Sequence, residues 1–516
     1  MKVLPWVSFC PAGAHWDAEL PQKSECTSFD AALSQRPDHP ATNFMRRKLR
    51  CGEISQLVDG SKDHATKPMR VSILTHCTVL ACLLAHAGLA SAQSIDAARL
   101  QDLEQRIAPL QPKMVAWRRD IHQHPELSGQ EVRTEKLVAD HLRKLGMEVS
   151  TGVGGHGVVA LLRGGLPGKV VALRADMDAL PVQEVTGLPF ASRVVGRNMG
   201  KDSPVMHACG HDGHTAILMG VAELLAGMRA QMAGSVKFIF QPAEEGHSEV
   251  PADANAAIGA KAMVEQGVMD NPKVEAVFGL HITAGMPVGA VGYRSGPLMA
   301  GADSLRIKVT GRQTHGAMPW NGIDPIVASA QIVTALQTIV SRQLNISTEP
   351  AVLTIGAING GNRENIIPDS VEMLGTLRTF DEAMRADAKK RITATAEAIG
   401  AASGAKVEVS FGTSFGGTSY SVTNNPASLT EASLPVLRAA TGGKVVLIPK
   451  VSASEDFSEF QKVAPGFFFI LGATPKDKTA ATAAPNHSPS FDFDEDAMAV
   501  GAKALSALAL EALARK

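Results

Sequence analysis

Five potential metal ligands fall within eight residues of this sequence. The segment VMHACGHDGHT carries His207, Cys209, His211, Asp212 and His214 between glycines. Thiolate, imidazole and carboxylate together are what a transition-metal ion needs. Zinc-like ions accept all three, and mixed sets with open positions make catalytic rather than closed structural sites. Further candidates lie at the ends of apolar runs. KVVALRADMDALP ends in Asp176 and Asp178, KFIFQPAEEG runs into Glu244 and Glu245, AVFGLHI carries His281, and PNHSP carries His487.

Each of these has a plainer reading. An isolated histidine such as His281 or His487 is more often a satisfied, hydrogen-bonded side chain, and adjacent glutamates are usually a solvated pair. Five ligand types in one short glycine-punctuated loop have little structural use. After an apolar run and a proline, neighbouring glutamates can point in different directions. One can bind metal while the other takes a proton from water as general base. Asp178 suits holding a ligand imidazole by hydrogen bond.

The elements that must position these residues are legible as apolar periods. Residues 97–145 read as helical, interrupted by the loop HQHPELSGQE. Continuous apolar runs at 158–164, 169–177, 235–243, 276–282 and 467–473, with a helix from His214 to about Met228, predict an α/β domain. Its sheet is mostly parallel and covered by helices on both faces, and open sheets of this kind place ligands at strand ends. Between 300 and 410 the order becomes β-α-β-β-α-β, a ferredoxin-like α+β arrangement. The expected organisation is a catalytic domain of 93–299 and 411–516, interrupted by an inserted lid domain of 300–410.

Residues 71–92 form an apolar run with Lys67 and Arg70 before it and Ala90-Ser91-Ala92 at its end, the layout of a secretory signal peptide starting near Met69. Residues 1–68 then read as a non-functional or disordered extension, and 69–92 as the signal. Five of the six cysteines, Cys10, Cys26, Cys51, Cys77 and Cys82, lie in this region, so the mature chain keeps only Cys209. A lone thiol in an oxidising compartment needs a reason to persist, and metal ligation is one. The expectation is an exported protein, periplasmic in a Gram-negative host, with no stable membrane span after cleavage. With 50 Lys+Arg against 51 Asp+Glu and 4% aromatic residues, the chain has no electrostatic or stacking case for nucleic-acid binding.

In order along 97–512, the motifs RRDIHQHPELSGQE, ALRADMDALPVQE, MHACGHDGHT, FQPAEEG, GLHI, THGAMPWNGIDPI, GNRENIIPD, SEDF and NHSPSF resemble the metallopeptidase family of aminoacylases and carboxypeptidases. The resemblance is to the branch of hippurate hydrolases and auxin-conjugate amidohydrolases. It implies a zinc-peptidase-like catalytic domain and metal ligation by Cys209, His211, Glu245, His281 and His487. Two divalent ions are implied, zinc or manganese, or else cobalt or nickel, with Cys209 as a candidate bridge. It implies Glu244 as general base, Asp178 as the group orienting a ligand, and His315 from the lid as oxyanion stabiliser. Asn365 and Arg378 are implied to grip the substrate carboxylate. Relatives with such a lid are often homodimers through it. Trp320, Thr283-Ala284 and the stretch 247–259 depart from the family pattern where substrate fit is set.

The reading is therefore metal-dependent hydrolysis of the amide bond of N-acyl or N-aroyl amino acids, small molecules resembling hippurate. A carboxypeptidase or dipeptidase on small peptides is the alternative. A catalytically silent metal- or solute-binding protein on the same fold is a distant third, since Glu244 stands beside every proposed ligand.

Overall fold

A computed structural model describes residues 97–249, 257–412 and 417–515. The expected extension and signal peptide, and most of the 247–259 stretch, lie outside the described residues.

Three helices open the described chain: α1 (Ala97–Ile107), α2 (Gln111–Gln123) and α3 (Val132–Lys144). The main sheet is built from β1 (Glu148–Val153), β2 (Gly157–Arg163), β3 (Leu166–Asp176), β4 (Ala233–Gln241) and β5 (Ala276–Thr283). A short β6 (Val291–Tyr293) completes the first sequence half. Between β3 and β4 runs α4 (His211–Gly227).

The sequence then leaves this sheet for a second one. In chain order the insert comprises β7 (Gly301–Thr310), α5 (Pro325–Thr338), β8 (Ala351–Gly360), β9 (Ser370–Thr379), α6 (Glu382–Ala402) and β10 (Lys406–Phe411). Its strands are antiparallel in the order β8-β9-β7-β10. Along β7, Leu305, Ile307 and Val309 are buried while Arg306 and Lys308 face outward, the period of two expected when helices cover one face only. Its core is its own, with Ile332 and Leu336 of α5 and Ala388 and Ile392 of α6 against Ile307 and Met373.

The chain returns through α7 (Ala427–Ala440), β11 (Val445–Leu447), β12 (Gly466–Gly472) and α8 (Ala497–Ala514). The main sheet has eight strands in the order β1-β2-β4-β3-β5-β12-β6-β11. The pairs β4–β3, β3–β5, β5–β12 and β6–β11 are parallel; β1–β2, β2–β4 and β12–β6 are antiparallel. β12 is buried along its whole length, which is why it reads as an unbroken apolar run. The exposed, polar β1 carries no such signal. Helix α8 is long and apolar enough to cross a membrane, yet its apolar residues pack with those of α4, β3 and β5 in the main core.

Candidate functional site

The parallel strands β3, β4 and β5 end on the same side of the sheet, and each delivers side chains there. β3 ends in Asp176, followed by Asp178. Both oxygens of Asp176 are engaged: Oδ2 with Arg174 (2.6 Å) and Oδ1 with His214 Nδ1 (2.6 Å). His214 Nε2 accepts the backbone N–H of Ile282 (2.8 Å), which fixes the tautomer and ties α4 to β5. Asp176 thus serves as a strut between strand and helix.

His211 Nδ1 donates to the Asp178 carbonyl (2.8 Å) and lies 3.2 Å from its Oδ1. The other oxygen accepts from Ser128 Oγ (2.6 Å) and from Glu245 N–H (2.9 Å). Held this way, His211 presents Nε2 inward, buried and without a hydrogen-bond partner. An orphaned buried imidazole nitrogen, backed by a carboxylate on its other nitrogen, is the arrangement of a metal ligand.

His211 opens α4, and Gly210 before it has φ +97°, a conformation in which a side chain would be strained. Gly213 in the first turn is equally constrained by space. A Cβ there would stand 2.6 Å from Phe493 and 2.7 Å from Ile282. Asp212 points the other way, into a buried network with Arg118 (2.9 Å) and His122 (2.8 Å) that anchors the helix start.

Cys209 is the centre of the cluster. Its Sγ lies 3.3 Å from His281 Nε2 and 3.2 Å from His487 Nε2. His281 donates from Nδ1 to the Ile282 carbonyl (2.8 Å), so its Nε2 also faces inward. His487 adopts φ +68°, its N–H donates to Ala208 O (2.7 Å), and its Nε2 is 3.0 Å from Glu245 Oε1. The ligand atoms form two triads, Cys209–His211–His281 and Cys209–Glu245–His487, each within 4.8 Å, and they share the thiol. That is a fitting donor set for two borderline-soft ions with one common ligand.

Burial and the neighbouring His214 push His281 down to about 3, leaving it neutral and able to ligate. Burial, then Glu455, Glu245 and Asp456, hold the Glu244 carboxyl well above the usual range, as suits a proton acceptor. Behind Glu244 sits a buried ionic network in which Arg174 pairs with Glu455 (2.8 Å) and Asp456 (3.0 Å).

Cys209, Glu244, Glu245, His281, His487 and Arg378 line one cavity of about 720 Å³, with apolar walls from Met286, Met299, Ile448 and Val451. His211 and Asp178 stand directly behind it. His315 and Asn365 do not reach it: His315 is exposed, in a two-residue strand paired with Ile366–Ile367, and lines a separate hollow of the insert together with Asn365 and Arg363. The sequence assigns no individual role to Ser128, Glu131, Arg174, Asp456 or Tyr420, and it offers His214 as a potential ligand, whereas both its ring nitrogens are taken by Asp176 and the Ile282 N–H. All but Tyr420 fall within the motifs quoted above, and no local pattern marks Tyr420.

The chain matches Peptidase family M20/M25/M40 over residues 172–511. It belongs to that family. Thermostable carboxypeptidase 2 of Saccharolobus solfataricus is 41% identical over 80% of this chain and 98% of its own length. N-acetylcysteine deacetylase of Bacillus subtilis is 39% identical over 77% and 96%. A crystal structure of a dinuclear metal binding M20 peptidase from Bacillus subtilis superposes with a TM-score of 0.64, at 35% identity over 79% of this chain and 99% of that one. The expected family is therefore the right one, and the chain is an M20-family hydrolase of α/β fold.

Proposed function

We propose that this M20 hydrolase cleaves the amide bond of N-acyl or N-aroyl amino acids, with Cys209, His211, Glu245, His281 and His487 holding two divalent ions, zinc or manganese. The observation that carries the reading is the pair of ligand triads sharing Cys209, with Glu244 beside them in one cavity. When bound, such ions supply Lewis-acid polarisation of the scissile carbonyl and a nucleophilic water at neutral pH. Glu244 takes the proton of the attacking water and returns it to the leaving amine. Arg378 is half-buried in the cavity wall, donates to Ser454 Oγ (2.8 Å), and forms no ion pair among the described residues. Its free donors suit the carboxylate of an amino-acid product half. The apolar wall of Met286, Met299, Ile448 and Val451 suits an acyl or aroyl group. A carboxypeptidase reading uses the same atoms and is favoured by the thermostable carboxypeptidase relative. His315 and Asn365 enter this reading on lid closure, or from the lid of a second copy in a homodimer.

The test is a panel of hippurate, N-acetyl amino acids and dipeptides, run on the metal-loaded protein. Hydrolysis of the N-acylated compounds should vanish with chelator and return with zinc or manganese. Turnover that ignores chelator would sink the metal assignment, and a preference for dipeptides would move the reading to the peptidase alternative.

The same reading includes export. N-terminal sequencing of the protein from its native host should begin at Gln93 or nearby, and recovery of Met1 would overturn it.

A further inference from the structure

One peptide unit, between Glu244 and Glu245, carries both carboxylates of the PAEEG turn, and two side chains from different parts of the fold grip it. On one side, Glu245 N–H donates to Asp178 Oδ2 (2.9 Å). On the other, the Tyr420 hydroxyl donates to the Glu244 carbonyl (2.5 Å). The residue before the unit, Ala243, has φ +50°, and its N–H donates to the buried Glu131 carboxylate (2.8 Å). An alanine stays in that sparsely populated region only when its surroundings hold it there. Turning the peptide plane would swing the Glu244 and Glu245 side chains away from the triads, so this grip sets where both carboxylates point.

Tyr420 lies on the segment that leaves the insert, in a short strand that joins the insert's sheet. Residues 419–420 pair antiparallel with β7, Tyr420 opposite Ala302 and Ser419 opposite Asp303. Ser419 Oγ donates to Asp303 Oδ1 (2.8 Å), and Asp303 is itself paired with Arg385 (2.7 Å) and Lys389 (2.6 Å) of α6. The strand that carries Tyr420 is thus fastened to the lid, while its hydroxyl is fastened to the main domain.

We propose that Tyr420 is a positioning residue: its hydrogen bond to the Glu244 carbonyl lets the lid-borne strand set the orientation of the peptide that bears the general base and the Glu245 ligand. This rests on the roles of Glu244 and Glu245 given under Proposed function. The lid then acts on the reacting groups through the backbone of the base, independently of any group it presents to substrate.

Tyr420→Phe in the full protein keeps the ring and removes the donor. Ser419→Ala is the control, loosening the same strand without touching the Glu244–Glu245 peptide. The readouts are Mn²⁺ affinity by calorimetry and hydrolysis of hippurate. Tyr420→Phe should weaken Mn²⁺ binding about threefold to tenfold, the worth of one neutral hydrogen bond. It should lower kcat by a similar factor with KM within about twofold, and Ser419→Ala, which keeps the Tyr420 donor, should do both to a clearly smaller extent. Mn²⁺ affinity of Tyr420→Phe within about twofold of wild type would overturn the proposal, and so would equal losses in both variants. A wild type that binds Mn²⁺ yet leaves hippurate intact counts against the reaction, while the affinity comparison still decides the role of Tyr420. A wild type that binds no Mn²⁺ overturns both.

Discussion

Glu244→Gln should retain both metal equivalents and lose hydrolysis by about 10²–10⁴-fold in kcat, the range expected when a general acid-base group is removed. The amide is nearly isosteric but cannot take the proton of the attacking water or hand one to the leaving amine. The fold should tolerate the change, because the native carboxylate sits buried among Glu455, Glu245 and Asp456, whose charges already disfavour its ionisation. Removing that repulsion costs little stability. Metal content by elemental analysis, thermal melting and single-turnover rates together check this. A variant with full metal content and near wild-type kcat would remove Glu244 from its assigned place.

Cys209→Ser should weaken metal binding by at least about 100-fold, more than the 10–100-fold typical of losing a group that merely orients a ligand. Both triads include the thiol, so its loss removes a donor from each. The same site predicts a steep pH dependence. Hydrogen bonds with Cys209 and Glu245 push His487 up to about 10, and burial raises the Cys209 thiol. Metal-free protein therefore carries protons on both groups at neutral pH, and a metal must displace them, so affinity rises with pH between 6 and 8. In the metal-free protein the sign is opposite. The protonated His487 contributes stability below about 6.5, and that contribution is lost as pH rises toward 10. Calorimetry in two buffers of different ionisation heat counts the protons released; binding that releases none would contradict the ligand set.

Much of the fold was legible in the sequence, because burial leaves a pattern. The runs at 158–164, 169–177, 235–243, 276–282 and 467–473 became β2, β3, β4, β5 and β12, since strands covered on both faces must be apolar at every position. The β-α-β-β-α-β order marked the insert, and its strand β7 alternates buried and outward residues as a sheet covered on one face should. Strands short or solvent-facing enough to escape that pressure, such as β1, β6 and β11, left no comparable trace.

The candidate site divides along the same line. Residue type marked the HACGHDGH cluster and the Glu244–Glu245 pair as candidates, and the family resemblance then implied Cys209, His211, Glu245, His281 and His487 as donors and Glu244 as a base. What those donors lean on is set by distance in space. Asp176 reads like Asp178 in sequence, yet one closes a strut between Arg174 and His214 and the other aims His211. Likewise His315 and Asn365 share a hollow of their own on the insert, whereas Arg378 on the same domain lines the cavity. The chemistry was written in side-chain identity, which a linear string records. The tautomers, the peptide held between Asp178 and Tyr420, and the separation of His315 from the thiol arise from long-range packing, which no local spacing encodes.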